Sequence, residues 1–443
     1  MTQPTSRGSD GRDLAASSVP TIDVDFYSTQ VLTDPYPFHH ELREAGPVVW
    51  LESYGVWATG RYEQVREVLL DWQTFMSGAG VGIHDLRVEG SWRPPSLLLE
   101  ADPPDHTVVR QIIEDILSPR AAKMLSDNFE ARAEALVERL VSFGSFDAVT
   151  DLAQVFPVQA FSDEVGVPEE GRENLLPYGE MAFNGFGPHN KLFEAATENR
   201  AEVEEWIMAS CHRESLSPDG FGAQIYEAAD AGKITEEQAL MLVRSFLSAG
   251  LDTTVSALGN AVYLLATNPD QWDLLRTEPS RARPAFEETI RFETPVQQFF
   301  RTATRDTELV GVEIAQDERV MMSFGAANRD PRRWENPDRF DITRKASGHL
   351  AFGLGIHGCV GKPVARIEGE AVLGALARKV GSIELDGEPK RHLNNTIRSF
   401  ESLPVTFHAH RRRRLVPSRR GKQPNDGGMD GGRSAGRAWG DAL

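Results

Sequence analysis

The spacing of apolar residues predicts a mainly helical chain with a small β region. Apolar positions recur every three or four residues through most of 121–265, and the breaks fall at glycine and proline clusters. Short apolar stretches bounded by turn residues predict strands. We expect further helices at 35–46, 62–71, 105–119, 282–293 and 362–380, with Asp105 as the cap of the third region, and strands at 48–51, 56–59, 309–314, 319–323 and near Ile383 and Val405. The predicted fold class is mainly α.

One predicted helix is much longer than the others. Thr235 and Gln238 have the spacing of a capping box, and the apolar pattern then runs unbroken to Thr267, where Asn268-Pro269 ends it. At about 1.5 Å per residue this helix would span roughly 48 Å, enough to cross the whole core. Arg244 and Asp252 in the middle of this helix argue against a membrane span.

Composition is that of a soluble globular protein, with 40% apolar and 26% charged residues in 443. Polar residues and prolines dominate 1–22, which we expect to be disordered, and 411–443 forms a basic, Gly-rich tail that we also expect to be disordered. Residues 23–410 are interpreted as a single domain. Only Cys211 and Cys359 are present, so a disulfide framework is excluded and a cytoplasmic location is expected.

The net charge limits the kinds of partner that the chain can bind. The chain has a net charge of −19 although its tail is basic, so the body is strongly acidic and unsuited to general nucleic-acid binding. The run 411–414 is composed of arginine, and a solvated tail is favoured there over a site for an acidic partner. The N-terminus has no apolar run typical of a signal peptide or membrane anchor.

The stretch 352–361 carries the clearest candidate chemistry. Four glycines surround Cys359, and the helix predicted from residue 362 begins directly afterwards, with Pro363 in its first turn. Free N–H groups at a helix start favour a thiolate, so Cys359 is interpreted as a nucleophile or a metal ligand. The same stretch fits the G-x-G-x-x-G dinucleotide pattern, but no buried strand precedes it and fewer than sixty ordered residues follow, which argues against nucleotide binding.

Three motifs together resemble those of the cytochrome P-450 haem-thiolate monooxygenases. They are the Cys359 stretch, the pair Glu288 and Arg291, and the sequence Ala-Gly-Leu-Asp-Thr-Thr at 249–254, in family order and spacing. The resemblance covers about residues 22–407 and implies the cytochrome P-450 fold. It also implies haem b with Cys359 as the axial iron ligand, molecular oxygen as co-substrate, and electrons from a ferredoxin and a flavin-dependent ferredoxin reductase. We expect a monomer.

The resemblance also assigns roles to other residues. Thr253 and Asp252 would be catalytic, steadying the reacting oxygen and relaying protons from solvent. The pair Glu288 and Arg291 would be buried and bonded to the loop before Cys359, where Arg339 lies, with a structural role. The haem propionates would be held by His106, Arg110, Arg301 and His357. Each of these residues taken alone is equally consistent with an ordinary structural or surface role.

The substrate is suggested by four stretches that resemble the bacterial branch oxidising para-substituted benzoic acids, such as 4-methoxybenzoate. They lie at 92–96, 183–188, 244–249 and 295–300. By that resemblance Arg93, Ser96 and Ser245 would hold the carboxylate, with Ser248 nearby. The apolar residues Leu99, Phe183, Phe186, Val296 and Phe299 would form a narrow aromatic slot. The alternative is that Arg93 is a loop cation and the phenylalanines belong to the core.

The expected reaction is insertion of one oxygen atom into a small aromatic carboxylic acid, by hydroxylation or O-demethylation. The alternatives are a monooxygenase of this family acting on another small hydrophobic substrate, a haem-binding or sensing protein without turnover, and a peroxide-driven hydroxylase. A haem protein without turnover would leave the Asp252-Thr253 pair without a purpose, and peroxide-driven hydroxylases usually lack such an acid-alcohol pair.

Overall fold

The protein, represented by a computed structural model, is described over residues 19–410. The expected disorder of the N-terminus and of the tail therefore falls almost entirely outside the described residues. Thr21 and Ile22 are an exception, because they form a strand parallel to 49–51 and Ile22 is buried. The ordered region thus begins earlier than expected.

The β structure consists of one six-stranded sheet, with strand order β1-β2-β3-β9-β6-β4, and three smaller sheets, β10-β13-β5, β11-β12 and β7-β8. The strands are β1 (Thr21–Ile22), β2 (Val49–Leu51), β3 (Val56–Thr59), β4 (Phe75–Met76), β5 (Ser145–Asp147), β6 (Gln298–Ala303), β7 (Thr307–Leu309), β8 (Val312–Ile314), β9 (Arg319–Ser323), β10 (Val380–Leu385), β11 (Lys390–His392), β12 (Ser399–Ser402) and β13 (Pro404–Ala409). The predicted strands at 48–51, 56–59 and 319–323 are confirmed within one residue.

Helices make up most of the rest, which confirms the predicted class. They are α1 (Thr29–Thr33), α2 (Tyr36–Ala45), α3 (Tyr62–Leu70), α4 (Leu86–Glu89), α5 (Asp105–Ile116), α6 (Pro119–Phe143), α7 (Val155–Val165), α8 (Leu175–Asn184), α9 (Lys191–Ala196), α10 (Arg200–Ser210), α11 (Phe221–Asp230), α12 (Glu236–Ala249), α13 (Asp252–Thr267), α14 (Pro269–Thr277), α15 (Ala282–Glu293), α16 (Phe324–Ala327) and α17 (Lys362–Lys379). No helix among residues 19–410 is long and apolar enough to cross a membrane.

The core lies where α6, α13, α15 and α17 pack together. Phe129 of α6, Leu258 of α13, Phe286 of α15 and Leu376 of α17 are almost fully buried in one continuous apolar cluster. At Gly369 of α17 a Cβ atom would lie 2.2 Å from the Phe286 ring, so only glycine permits this approach of α15 and α17. The helix that follows Cys359 is thereby fixed to the centre of the protein.

The prediction of one continuous long helix is wrong. The region divides into α12 and α13 at Gly250 and Leu251, and Leu251 has φ −106° and ψ −65°. Glycine favours a break, and a Cβ at Gly250 would meet Phe161 at 2.5 Å and the Phe246 carbonyl oxygen at 2.7 Å. Asp252 then opens α13, where a carboxyl group suits the positive helix end.

Two smaller predictions also differ from the structure. Residues 309–314 are not one strand, because Val310 and Gly311 have positive φ values of 51° and 79° and turn the chain between β7 and β8. Asp105 does not cap α5: Pro104 occupies the cap position, and Asp105 is the first helical residue. A carboxylate there still faces the positive end of the helix.

Candidate functional site

Cys359 lies between a short 3-10 turn at Gly355–His357 and the start of α17. Gly353 and Gly355 have φ values of 63° and 70°, a region that side chains rarely adopt, and a Cβ at Gly355 would meet the Leu69 carbonyl oxygen at 2.7 Å. The Cys359 N–H donates to the Phe352 carbonyl at 2.8 Å, which closes the loop. The predicted position of the cysteine, just before a helix start, is confirmed.

The electrostatic expectation for Cys359 is not met by the protein alone. Its side chain is exposed by surface area, yet protein surrounds the sulfur closely enough that burial raises the pKa of the thiol. The N–H groups of Gly361 and Lys362 lower that pKa but do not outweigh burial. Burial thus disfavours a thiolate at this position, and a cation bound to the sulfur would favour it.

A group of basic side chains adjoins this loop through His357, the last residue of the 3-10 turn. The rings of His106 and His357 are 4.5 Å apart, and His357 Nε2 is 3.6 Å from Asp102 Oδ1. The buried guanidinium of Arg301 bonds to the Phe300 carbonyl, and burial lowers its pKa to about 10 while Asp102 opposes the shift. Burial, His357 and Arg110 lower the pKa of His106 to about 4. The structure thus brings His106, His357 and Arg301 into one electrostatic cluster.

Arg110 differs from the other expected propionate ligands. Its Nη1 donates to the Gly358 carbonyl at 2.5 Å, beside Cys359, and its Nε donates to Glu114 at 2.7 Å. Asp102 was missed by sequence reasoning although it lies four residues before His106, a spacing typical of neighbours in space. Ser77 and Gly78 N–H groups bind the Asp102 carboxylate and, with His357, hold its pKa below its usual value against the effect of burial.

These residues fit a haem group. The Nε2 atom of His106 is buried and has no hydrogen-bond partner among the described residues, so it is available to an anionic group. His357 Nε2 also lacks a hydrogen bond there, but it already faces the Asp102 carboxylate at 3.6 Å. The Arg301 guanidinium adds a permanent positive charge to the same cluster. Cys359 would hold the iron, and His106, His357 and Arg301 would hold the propionates.

Asp252 and Thr253 lie at the helix break, in the first turn of α13. Thr253 Oγ1 donates to the Ala249 carbonyl at 3.2 Å, across the break. The Oδ2 atom of Asp252 is buried without a hydrogen-bond partner among residues 19–410. Burial, and secondarily the charge of Glu180, raise the pKa of Asp252 well above its usual value. Burial therefore favours the protonated form of the Asp252 carboxyl group, in the residue before Thr253.

A second buried acid, Glu368 of α17, was missed by sequence reasoning. Its Oε2 accepts a hydrogen bond from Thr254 Oγ1 at 3.3 Å, and burial raises its pKa to about 8. Glu368 lies four residues from both Val364 and Val372, on the apolar face of the helix, and this spacing was the available signal.

The residues expected to hold the substrate carboxylate already make hydrogen bonds to other groups of the protein. Arg93 pairs with Glu100 through two contacts, Nη1 to Oε2 at 2.9 Å and Nη2 to Oε1 at 3.3 Å, and both side chains are buried. The Ser96 hydroxyl accepts N–H bonds from Leu98 and Leu99. The Ser245 hydroxyl donates to the Met241 carbonyl, and the Ser248 hydroxyl donates to the Ser245 carbonyl. The structure therefore holds these residues in place rather than leaving their polar groups open.

Arg244, the residue before Ser245, is the open cation that sequence reasoning missed. Its Nη2 donates to the Pro94 carbonyl at 2.8 Å, the same carbonyl to which Arg93 donates at 3.0 Å. Its Nε and Nη1 are buried with no hydrogen-bond partner among the described residues. Burial and the nearby charge of Arg93 lower the pKa of Arg244. The signal available in the sequence was a charged residue inside an apolar helix.

The apolar residues expected to line the slot do come together. Phe183 and Phe186 form a buried cluster against which Leu99, Val296 and Phe299 pack. The rings of Phe186 and Phe299 are 5.3 Å apart and nearly perpendicular. Two members, Val81 and Ile397, were not expected; Ile397 joins through a β-bridge to Val296. Arg93 lies 5.3 Å from the Phe186 ring, so the apolar cluster adjoins the charged one.

The Glu288 and Arg291 pair is fully buried, as expected. Arg291 donates to Glu288 through Nε at 2.7 Å and Nη2 at 2.9 Å, and its Nη1 reaches the carbonyls of Asn328 and Pro337. Arg344, rather than Arg339, supplies the second cation to Glu288, at 3.1 Å. The pair therefore ties α15 to the loop that leads to Cys359.

Comparison with known proteins agrees with this geometry. The family model described as Cytochrome P450 matches residues 179–379. The chain is 53% identical over 390 residues to Cytochrome p450 CYP199A2 of Rhodopseudomonas palustris, covering 88% of this chain and 95% of that protein. It is 32% identical over 363 residues to Cytochrome P450 107B1 of Saccharopolyspora erythraea, covering 79% and 88%.

Solved structures give the same result. The complex of cytochrome P450 CREJ with (4-ethylphenyl) dihydrogen phosphate superposes with a TM-score of 0.78 at 27% identity, covering 85% of this chain and 98% of that one. The complex of P450BioI with an acyl carrier protein ligated to hexadec-9Z-enoic acid has a TM-score of 0.77 at 27% identity, covering 86% and 100%. The chain belongs to the cytochrome P450 family of haem-b monooxygenases.

Proposed function

We propose that this monooxygenase oxidises a small aromatic carboxylic acid, most simply a para-substituted benzoate, by hydroxylation or O-demethylation. The observation that carries the proposal is the buried guanidinium of Arg244, whose Nε and Nη1 lack partners among the described residues. A buried cation with unpaired donors is costly unless an anion meets it. A substrate carboxylate supplies that anion and accepts the free N–H groups.

Charge balance around Arg244 supports an anionic substrate. Arg93 and Arg244 both donate to the Pro94 carbonyl, and the Glu100 carboxylate pairs with Arg93. Two guanidinium groups and one carboxylate leave one excess positive charge. A benzoate would neutralise that charge at one end while the cluster of Phe183, Phe186 and Phe299 encloses its ring.

A solved relative supports the same class of ligand. Cytochrome P450 CREJ binds (4-ethylphenyl) dihydrogen phosphate, a para-substituted phenyl ring that carries an anionic group. That ligand combines the two features that the Arg244 group and the phenylalanine cluster would recognise in this chain. The carboxylate proposed here is planar and suits two N–H donors of one guanidinium.

In the proposed mechanism, bound haem supplies the redox chemistry on molecular oxygen. Cys359 would hold the iron, and the N–H groups of Gly361 and Lys362 would moderate the charge on its sulfur. Asp252, whose protonated form burial favours, would give its proton toward the Thr253 hydroxyl, which would orient it at the reacting oxygen. The aromatic cluster excludes water from the reacting carbon of the substrate.

The sequence contains no motif for binding flavin or an iron–sulfur cluster. Electrons would therefore come from a ferredoxin, which a flavin-dependent ferredoxin reductase would reduce. The enzyme would act as a cytoplasmic monomer, without nucleic acid or a membrane.

Replacing Arg244 with glutamine tests the substrate class. We expect binding of 4-methoxybenzoate to weaken about 10- to 100-fold, because a hydrogen bond between charged groups is worth about 1.5–3 kcal/mol. Binding of the neutral 4-methoxybenzamide should change less than about threefold, since the slot itself is untouched. Both affinities are read from a spin-state titration of the haem protein.

Arg200→Gln is the matched control. Arg200 also donates to a carbonyl of the same loop, that of Trp92, but its side chain is substantially exposed. It should show no discrimination between the two ligands. An equal loss of both ligands in Arg244→Gln would contradict a carboxylate site. Arg93 is a poorer probe, because its removal leaves the Glu100 carboxylate buried and unpaired.

Replacing Thr253 with alanine tests the oxygen side of the site. The product formed per pair of electrons should fall about tenfold, with the balance released as hydrogen peroxide, because a positioned proton donor contributes 10-fold or more. Ser256→Ala is the control, since Ser256 makes the same kind of hydrogen bond to the carbonyl of Asp252, within the same helix. Unchanged coupling in Thr253→Ala would remove Thr253 from the proposed mechanism.

A further inference from the structure

The carboxyl group of Asp252 lies directly against the backbone of α8. A Cβ atom at Gly179 would fall 1.6 Å from Asp252 Oδ2, so the helix approaches this closely only because residue 179 has no side chain. Asp252 Oδ2 finds no hydrogen-bond partner there among the described residues. The next residue of α8 is Glu180, whose charge acts on Asp252.

Glu180 is in turn held by groups from two other segments. Its Oε2 is 2.8 Å from His392 Nε2 of β11 and accepts from Asn394 at 3.1 Å, while its Oε1 accepts from Asn184 at 2.6 Å. About a third of each of the Glu180 and His392 side chains is exposed. Asp252, Glu180 and His392 thus form a series that runs from a buried acid to solvent.

We propose that Glu180 and His392 form the outer part of the route by which protons from solvent reach Asp252. His392 would give the proton on Nε2 to Glu180 Oε2 and take a replacement from water. Glu180, then protonated, would pass a proton to the Asp252 carboxylate left after Asp252 has given up its own. Each cycle moves one proton inward and restores all three groups.

The charges around these groups favour that direction. Once Asp252 has lost its proton it is a buried carboxylate beside the carboxylate of Glu180, and two like charges in one site favour uptake of a proton. Burial alone would lower the pKa of His392, but the hydrogen bond to Glu180 and the charges of Glu180 and Glu401 outweigh it and raise that pKa. His392 is therefore charged over a wider pH range than a free histidine.

Glu180 and His392 act through Asp252, so they are positioning residues, and this inference rests on the role proposed for Asp252. The test uses the haem-loaded enzyme with its redox partners and compares His392→Gln, Glu180→Gln and Asp252→Asn. In the first two variants, product per pair of electrons should fall about fivefold and the solvent deuterium isotope effect on turnover should increase, because the proton supply becomes limiting.

The pH dependence separates proton supply from mere structural support. The charged form of His392 is present below its raised pKa and is lost as the pH rises through it, so coupling in the unmodified enzyme should decline over that interval. In His392→Gln this decline should be absent. As a readout independent of turnover, NMR titration of His392 should show a lower pKa in Glu180→Gln than in the unmodified protein.

His408→Gln is the matched control, because His408 pairs with Glu384 at 3.1 Å on β10 and β13, away from Asp252. It should retain the coupling, isotope effect and pH profile of the unmodified enzyme. If Asp252→Asn is impaired while His392→Gln and Glu180→Gln match His408→Gln, the proposed route is wrong and the role of Asp252 stands. If Asp252→Asn is itself unimpaired, the proposed mechanism fails at Asp252, and the route fails with it.

Gly179→Ala tests the same geometry without removing a titratable group. The added methyl group would displace the Asp252 carboxyl from α8, and coupling should fall as it does in His392→Gln. Gly259→Ala in α13 is the control, because a Cβ there meets nothing within 4 Å. Full coupling in Gly179→Ala would show that the contact between Asp252 and α8 has no part in proton supply.

Discussion

Replacing Cys359 with serine is expected to remove the red-shifted Soret band that the reduced protein forms with carbon monoxide. That band is the signature of a thiolate on the iron, and a hydroxyl group does not supply the same electron donation. Monooxygenase activity should fall by more than the roughly 100-fold that loss of a supporting residue around a metal site typically causes. The measurement is the difference spectrum of the reduced haem protein with and without carbon monoxide.

Cys211→Ser is the natural control, because Cys211 is the only other cysteine. Cys211 is fully buried, and burial raises the pKa of its thiol to about 12, so it is an inert core residue. The band should persist in this variant. An unshifted band in the unmodified protein, or a shifted one in Cys359→Ser, would show that Cys359 is not the iron ligand.

The second large effect is expected from Arg291→Met, which breaks the buried pair with Glu288. Removing one partner of a buried ion pair leaves the other charge without compensation and typically costs about 3–5 kcal/mol. Here the loss also frees the carbonyls of Asn328 and Pro337, which Arg291 holds. Urea unfolding of the haem protein, followed by circular dichroism, should show a correspondingly lower midpoint.

Arg276→Met provides a control with the same three-residue spacing. Arg276 pairs with Asp273 at 3.1 Å on α14, but Asp273 lies largely in solvent and about a third of the Arg276 side chain is exposed. The loss there should stay below about 1 kcal/mol, since solvent screens an exposed pair. Equal shifts in the two variants would contradict a special role for the buried pair. Arg344 remains to neutralise Glu288 in part, so the protein should still fold.

The fold class, the Cys359 loop and the Glu288 pair were predictable because each depends on residue identity at a fixed local spacing. The four glycines and the helix start around Cys359 lie within a dozen residues, and Glu288 and Arg291 share one helical turn. The break at Gly250 was not predictable from periodicity, because the apolar pattern continues through it. The break arises from the contact with Phe161, a residue 89 positions earlier in the chain.

The pairing of charged residues in the site was also hard to predict, because the partners are not related by a local spacing. Arg93 and Glu100 meet because an irregular loop folds back, and no period relates two residues in a loop. Glu180 and His392 are 212 residues apart. A sequence shows which residues can carry charge, but burial and partners decide whether a guanidinium is already neutralised, as in Arg93, or open, as in Arg244.

The helix break has a consequence for how such an enzyme can change. Arg244 and Ser245, which we propose to lie at the substrate end, belong to α12, whereas Asp252 and Thr253 belong to α13. Because Gly250 and Leu251 interrupt the hydrogen-bonded ladder between them, a substitution that shifts α12 is not passed rigidly to the proton-donating turn. Under the roles proposed above, substitutions in α12 would change the substrate of descendants of this chain while the oxygen chemistry of α13 is inherited unchanged.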